Sequence, residues 1–415
     1  MKLTKPVKIR QETADGFLAY FIELRRFIPV NKIGADIIDR FFNENKTAEQ
    51  IYKKNKLASK KQVVDFLKQV KTELMLPFSG GYPLLKDDLF DVPIAVELNI
   101  LEQCNLRCKH CSLPNYDEIM SFERIKEILS ILNENKVFEL NITGGEVFLH
   151  PDILKIIDLA CGKYNFATSI VTNATLLTDD ILRRIKKYNN LLGFLVSLEG
   201  VGEDNDKIRG AGVFKKVNQS IKKLKKFNFH VEISCTINAQ NIDKYNKLID
   251  YAKFLNVPIN FNLFKVAKKE QRDLVLEPKK YFSFIDDIFL KREKYYSKIG
   301  LTNAAISGYL TTHKKRKTCR ATLSGLTIDV NGRMVTCPFL SMAGYYKPEQ
   351  LPKFNKNFVK IWQKNAAFNK FRKENLAECI ACAFLFTGSV KNQDPYSLRS
   401  YLKYCKKRKH LGGSD

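Results

Sequence analysis

The chain has 415 residues, 45% hydrophobic and 11% aromatic, which excludes wholesale disorder and, at about 150 residues per domain, leaves room for two or three domains. Its longest apolar runs, such as residues 92–96 and 191–198, fall far short of the ~20 residues a membrane span needs. Lys plus Arg number 70 against 44 acids, a net charge of +26, which favours an anionic partner: nucleic acid, a membrane surface or an acidic peptide.

The basic residues are spread along the chain, with compact runs only at 314–317 and 406–409, so lysines that merely solvate helix faces explain the excess equally well. The aromatic-and-basic signature of an RNA-recognition module is absent, which disfavours nucleic acid. Residues 1–10 carry neither an apolar h-region nor a cleavage site, so the expected compartment is the cytoplasm.

In chain order, residues 1–80 read as a unit. Strand-like runs at 7–11, 18–23 and 26–30 are followed by a helical pattern at 33–42, with Asp15-Gly16 as the first turn signal. Thr47 with Gln50 opens a second helix as a capping box, and Ser59 with Gln62 opens a third that ends near Leu76. Three strands and three helices make a winged-helix-like module. Ser79-Gly80-Gly81 and Pro83 begin a linker over 81–92.

From Pro93 strands and helices alternate. Strands are predicted at 94–100, 137–142, 166–171, 191–198, 230–237 and 259–264; helices at 122–132, 151–160, 178–187, 213–227 and 242–254. This α/β pattern predicts a parallel sheet wrapped by helices, a full or partial barrel over 93–300, with function at the C-terminal strand ends. A helix at 278–296 closes it. Residues 301–395 are irregular and cysteine-rich, with strand-like 325–329 and 333–336 around Asn331-Gly332, and 396–415 read as a basic tail.

Ten cysteines are many for a cytosolic chain, where disulfides seldom persist, so tight clusters point to metal. Cys104-x3-Cys108-x2-Cys111 begins just after the first barrel strand. Three thiolates there can hold three corners of a [4Fe–4S] cube, leaving one iron open. With His110 inside the loop, a four-ligand zinc knuckle is the alternative.

In these residues the chain resembles the radical S-adenosylmethionine (SAM) enzymes. The resemblance implies a partial (β/α)6 barrel whose open iron is chelated by the amino and carboxylate groups of SAM. Reductive cleavage of SAM then gives methionine and a 5′-deoxyadenosyl radical. Gly144-Gly145-Glu146 after strand two is similar to the family's GGE motif, which would receive the methionine ammonium. Ser197-Leu198-Glu199-Gly200 stands where the family usually shows Ser-x-Asp-Gly, with Glu199 replacing Asp. Arg209-Gly210 matches a trailing Arg-Gly, and Thr172-Asn173 matches Thr-Asn-Gly except that Ala174 replaces Gly. The implied SAM contacts are therefore Gly144, Gly145, Glu146, Asn173, Ser197, Glu199 and Arg209, over a resemblance covering residues 93–265.

Cys319-x12-Gly332-x4-Cys337 followed by Cys379-x2-Cys382 resembles the auxiliary-cluster region of the twitch and SPASM subfamilies. Four thiolates close one cube. The further cysteines of the longer SPASM pattern are missing from 383–391, so one auxiliary [4Fe–4S] cluster is expected, with a four-cysteine zinc site as the alternative. Cys161 and Cys235 fit buried apolar positions. Cys405 reads as a free thiol, or as a substitute ligand.

The N-terminal module resembles the recognition element of enzymes that modify ribosomally made peptides (RiPPs). This implies a leader peptide added as a strand at the 18–30 edge, with Arg25 and Arg26 nearby. A DNA-binding winged helix is the alternative. The implied function is precursor-peptide modification, with Cys-to-carbon thioether formation first. Epimerisation (Cys235 or Cys405 as hydrogen donor) and carbon–carbon cross-linking are the other peptide chemistries. Small-molecule chemistry of the tetrapyrrole or molybdopterin type, and an iron–sulfur DNA-binding regulator, stand outside that class. Flavodoxin or ferredoxin is the type of electron donor implied.

Overall fold

The computed structural model describes residues 6–12, 14, 16–24, 26–54, 58–75, 90–113, 117–303, 306, 309–310, 321–374 and 379–410. Asp15, Arg25, the 79–83 linker signal, the basic run 314–317 and Cys319 lie outside the described residues.

The module opens with β1 (Val7–Gln11), β2 (Gly16–Phe21) and β3 (Arg26–Asn31), paired antiparallel in the order β1-β2-β3. Three helices follow: α1 (Lys32–Ile38), α2 (Ala48–Lys54) and α3 (Lys60–Met75). Both predicted capping boxes form. Gln50 N–H donates to Thr47 Oγ1 at 3.2 Å while Thr47 N–H donates to Gln50 Oε1 at 2.9 Å, and Ser59 with Gln62 repeats this at 3.2 and 2.8 Å. The expected 18–30 edge needs correction: β2 is the central strand, paired on both sides, so Leu18–Phe21 backbone groups are spent inside the sheet. Within 18–30 the edge strand is β3, which among the described residues pairs with β2 alone.

One face of this sheet is wedged against the barrel. Leu18, Tyr20 and Ile22 pack with Phe90, Ile94, Phe138 and Ala167, and Tyr20 stacks on Phe27 at 4.3 Å. The buried Arg10 guanidinium donates to the carbonyls of Val92 (3.0 Å), Pro93 (3.1 Å) and Lys136 (3.2 Å), pairs with buried Glu12 at 2.5 Å, and lies 4.7 Å over Phe138. Breaking such a hydrogen-bonded buried pair by removing one partner costs about 3–5 kcal/mol, so the module's seat is well defined.

The barrel strands are β4 (Ala95–Asn99), β5 (Glu139–Thr143), β6 (Ala167–Thr172), β7 (Leu191–Ser197), β8 (Val231–Ile237), β9 (Ile259–Leu263) and β10 (Ile299–Leu301). Between them run α4 (Phe122–Glu134), α5 (Ile153–Ile157), α6 (Asp179–Ile185), α7 (Glu203–Arg209), α8 (Val213–Lys226), α9 (Tyr245–Leu255) and α10 (Pro278–Lys294). All six predicted strands are present. Their burial alternates: Val96 and Leu98 join Ile125, Ile128 and Leu129 of α4 in the core, while the other set presents polar groups such as Glu97, Asn141, Ser234 and Asn262 on the opposite face.

The sheet extends beyond six strands. Its order is β10-β9-β8-β7-β6-β5-β4-β11-β12, where β11 (Gly325–Ile328) runs parallel to β4 and forms a hairpin with β12 (Met334–Val335). The outer strands β10 and β12 do not pair, so the barrel stays open. The predicted hairpin thus belongs to the barrel sheet itself.

The C-terminal region continues with helices Pro338–Met342, Phe358–Lys364, Ala366–Glu374 and Ile380–Thr387. Trp362 is wholly buried and donates to Phe90 O at 2.8 Å. The expected tail is a correction: Leu398–His410 is a helix packed on α10, with Tyr401 at 5.5 Å from Phe282. Apolar Leu398, Tyr401, Leu402 and Tyr404 supply the packing that a charge count overlooks. Among the described residues no helix is long and apolar enough to cross a membrane.

Candidate functional site

The cysteine loop leaves β4 at its C-terminal end, and its backbone is held from several sides. Lys109 N–H donates to Ile208 O of α7 at 2.9 Å, and Cys111 N–H donates to Cys108 O at 3.0 Å. Buried Gln271 spans the loop, its Nε2 donating to Lys109 O (3.0 Å) and Cys111 O (2.8 Å). All three thiols are half-buried and in no disulfide. Burial pushes Cys104 up and Cys108 up to about 11, so each ionises when a cation arrives to hold it.

Gly144-Gly145-Glu146 closes against this loop. Gly145 N–H donates to Leu101 O and Glu146 N–H to Gln103 O, both at 2.8 Å. A Cβ on Gly145 would stand 2.2 Å from Gln103 O, and one on Gly144 2.4 Å from Leu101 O. Glycine is therefore required at both positions by backbone contact. The Glu146 carboxylate is wholly buried. It accepts from Thr172 Oγ1 (2.7 Å), Asn173 N–H (2.7 Å) and Phe148 N–H (3.2 Å). Burial raises its carboxyl and these donors oppose that rise.

Asn173 carries the connection onward. Its Nδ2 lies 3.8 Å from Cys104 Sγ and 2.9 Å from Asn105 Oδ1. At the end of β7, Ser197 stands in register with Ser234 of β8. The buried Glu199 Oε1 accepts from Arg209 Nη2 (2.6 Å) and Nε (3.2 Å), while Oε2 accepts from Thr236 N–H at 2.7 Å. Arg209 Nη1 lies 3.8 Å from Cys108 Sγ. Burial would lower the guanidinium, but Glu199 and Cys108 hold it raised and charged. Burial drops His110 to about 4, so it is neutral at neutral pH and its Nε2, 3.3 Å from Glu199 Oε1, carries the proton.

Cys104, Asn173 and Glu146 therefore form one hydrogen-bonded set and Cys108, Arg209 and Glu199 a second, both ending on the cysteine loop, against which Gly144 and Gly145 pack. Asn105 and Gln271 escaped the sequence reading. Asn105 stood as a spacer between cysteines, and Gln271 lies in a charged stretch that reads as solvated surface.

In the C-terminal region Cys337 caps the helix Pro338–Met342 and Cys379 caps Ile380–Thr387, where its Sγ accepts Cys382 N–H at 3.4 Å. Cys337 and Cys379 share one apolar cluster with Leu340 and Phe371. Hydrogen bonding from Cys382, aided by the Lys265 charge, holds the Cys379 thiol below its ordinary range, and Cys382 is pushed up. Cys161 and Cys235 are buried as expected.

The open barrel thus carries three free thiols on the loop that leaves its first strand. The family model described as the Radical SAM superfamily matches residues 98–254, so this span of the chain carries a radical SAM domain. The antilisterial bacteriocin subtilosin biosynthesis protein AlbA of Bacillus subtilis is 30% identical over 158 residues, 37% of this chain and 35% of AlbA, so the match spans about a third of that relative. The mycofactocin maturase MftC of Mycobacterium tuberculosis is 23% identical over 301 residues, 70% of this chain and 76% of MftC. Among solved structures, Streptococcus suis SuiB bound to precursor peptide SuiA superposes with a TM-score of 0.64 at 15% identity, covering 95% of this chain and 98% of that one. This last likeness concerns the fold.

The residues present fit a [4Fe–4S] cluster and the SAM it would hold: three free thiols on one pinned loop, with side-chain donors aimed at two of them. When bound, that pair supplies a 5′-deoxyadenosyl radical. Cys104, Cys108 and Cys111 would be the iron ligands. The Arg209 and Asn173 donors would stabilise the negative charge on sulfur, and Gln271 fixes the loop's course.

Proposed function

We propose that the chain modifies a ribosomally made precursor peptide in the cytoplasm, holding the leader on the N-terminal module while the core segment reaches the barrel. The observation that carries this is a groove of about 310 Å3 between β3 and α3, lined by Val30, Ile33, Ile37, Gln62 and Phe66. β3 is an edge strand of the module's sheet, and its residues Pro29, Val30 and Asn31 line the groove. An added strand gains backbone hydrogen bonds there, and the groove gives its side chains apolar pockets. The likeness to AlbA and MftC, and to the SuiB fold seen with SuiA, supports the peptide reading.

SAM would sit on the Gly144-Gly145 backbone, with Asn173, Ser197 and Arg209 around it, while Glu146 and Glu199 act from behind by fixing the groups that touch it. One auxiliary [4Fe–4S] cluster on Cys319, Cys337, Cys379 and Cys382 would serve electron transfer, with flavodoxin or ferredoxin as the type of donor. Thioether formation is the chemistry proposed.

Mass spectrometry of the peptide encoded beside the gene, after anaerobic reaction with SAM and reductant, tests this. A thioether appears as loss of two hydrogens with a cysteine that no longer alkylates. Carbon–carbon linkage gives the same loss with the thiol intact, and epimerisation gives unchanged mass with deuterium uptake. An unmodified peptide under conditions that cleave SAM would contradict the peptide reading.

A further inference from the structure

The face of the barrel sheet turned away from the helices is built in levels. Along β4, Val96 and Leu98 are wholly buried beneath α4, whereas Glu97 and Asn99 face the lumen and stay half-buried. In-register pairing sets Asn141 of β5 and Thr327 of β11 on either side of Glu97, with Ser169 of β6 beyond Asn141. Asn99 stands one level nearer the cysteine loop, roughly 6–7 Å along the strand. Glu139 stands one level below and accepts from the Tyr20 hydroxyl of the N-terminal module.

The charge of this lumen opposes that of the chain. Strands β4–β12 hold three charged residues, Glu97, Glu139 and Glu232, all on the lumen face, and no lysine or arginine, in a protein of net charge +26. Glu139 and Glu232 interact within the fold. Glu97 has no hydrogen bond or ion pair among the described residues. The surrounding wall desolvates its carboxyl and raises it, and neither a donor nor a charge opposes that rise. Glu146, by contrast, is met by three donors and Glu199 by Arg209. Asn99 Oδ1, on the same wall, is buried and also lacks a donor. Two acceptors without donors, one of them a carboxylate, suit a group that brings a positive charge and several N–H bonds. An ammonium carries three and a guanidinium five.

We propose that Glu97 determines specificity in the barrel lumen by receiving a lysine or arginine side chain of the peptide segment that enters there. This rests on the peptide reading given above. Glu97 lies below the cysteine loop and the Gly144-Gly145 turn, so its cation comes from the peptide and not from the sulfonium or ammonium of SAM.

The test titrates the fluorescently labelled core segment of the peptide encoded beside the gene against the reconstituted, SAM-loaded protein. Wild type and Glu97→Gln are each measured with the native segment and with segments in which each lysine or arginine in turn is replaced by glutamine. Circular dichroism checks the fold, and equilibrium dialysis measures SAM affinity. The expected result is affinity weaker by about tenfold or more in Glu97→Gln. One particular peptide replacement should cost wild type the same, with almost no further loss when the two changes are combined. Where Glu97→Gln loses the fold, Glu97→Asp carries the same cycle. Native affinity in Glu97→Gln, additive losses for every replacement, or a core segment without lysine and arginine overturns the proposal. Weakened SAM binding with unchanged peptide binding assigns the carboxylate to SAM and overturns it as well. A wild type that neither binds nor modifies the segment overturns the peptide function, and the proposal with it.

Discussion

Arg209 grips Glu199 through Nη2 at 2.6 Å and Nε at 3.2 Å, both side chains buried, and turns its remaining Nη1 to within 3.8 Å of Cys108 Sγ. The carboxylate is the anchor and the guanidinium is the tool. With its other oxygen on Thr236 N–H, Glu199 spans from β8 to the cluster loop. Aspartate, one methylene shorter, would not reach both partners.

Arg209→Met should leave Glu199 as an unpaired buried charge and cost about 3–5 kcal/mol of stability, read as a lower melting temperature. Glu199→Asp should lose less stability but retain less iron on reconstitution. Wild-type melting and iron content in both variants would mean that the pair is incidental to the site.

Replacing Cys104, Cys108 or Cys111 by alanine should remove one cube, taking iron from about eight to about four per chain, and abolish 5′-deoxyadenosine formation. The same variants should keep their fold, because the loop is held through backbone groups of Lys109 and Cys111. Chromatographic detection of 5′-deoxyadenosine from a triple variant would be fatal to the cluster assignment.

Val30→Glu or Ile33→Glu places a charge in the β3–α3 groove and should weaken leader binding by about tenfold to a hundredfold, equivalent to roughly 1.4–2.8 kcal/mol. SAM cleavage without peptide should be unchanged, since the groove lies on the separate N-terminal module. Fluorescence titration with a labelled leader measures this; equal affinity in both variants would move the peptide elsewhere.

Burial lowers Lys8 to about 8, with its ammonium 4.9 Å from the Phe166 ring. Between that value and the ordinary 10.5, the unfolded chain binds the extra proton, so stability should rise with pH across this window. Below it the full cost of burying the charge is present. Lys8→Met should flatten the slope and stabilise the protein at pH 7 by about 1–2 kcal/mol after allowing for solvent screening. Thermal melts from neutral to alkaline pH decide it, identical slopes counting against the argument.

By itself the sequence determined the alternating strands and helices, both capping boxes, the cysteine triplet and the order of motifs behind it. These are local facts: side-chain period, cap chemistry and ligand spacing all act within a few residues. Tertiary structure decided the rest. β11 adds beside β4, from far along the chain, because the open barrel leaves an unsatisfied edge there. β3 rather than β2 keeps a free edge, because strand order depends on which neighbours pair. Leu398–His410 packs as a helix because its apolar side finds α10. Glu146 and Glu199 face backbone donors of neighbouring strands only when distant segments are docked. Long-range pairing is chosen by the shape and unmet hydrogen bonds of the partner surface, which no local pattern carries.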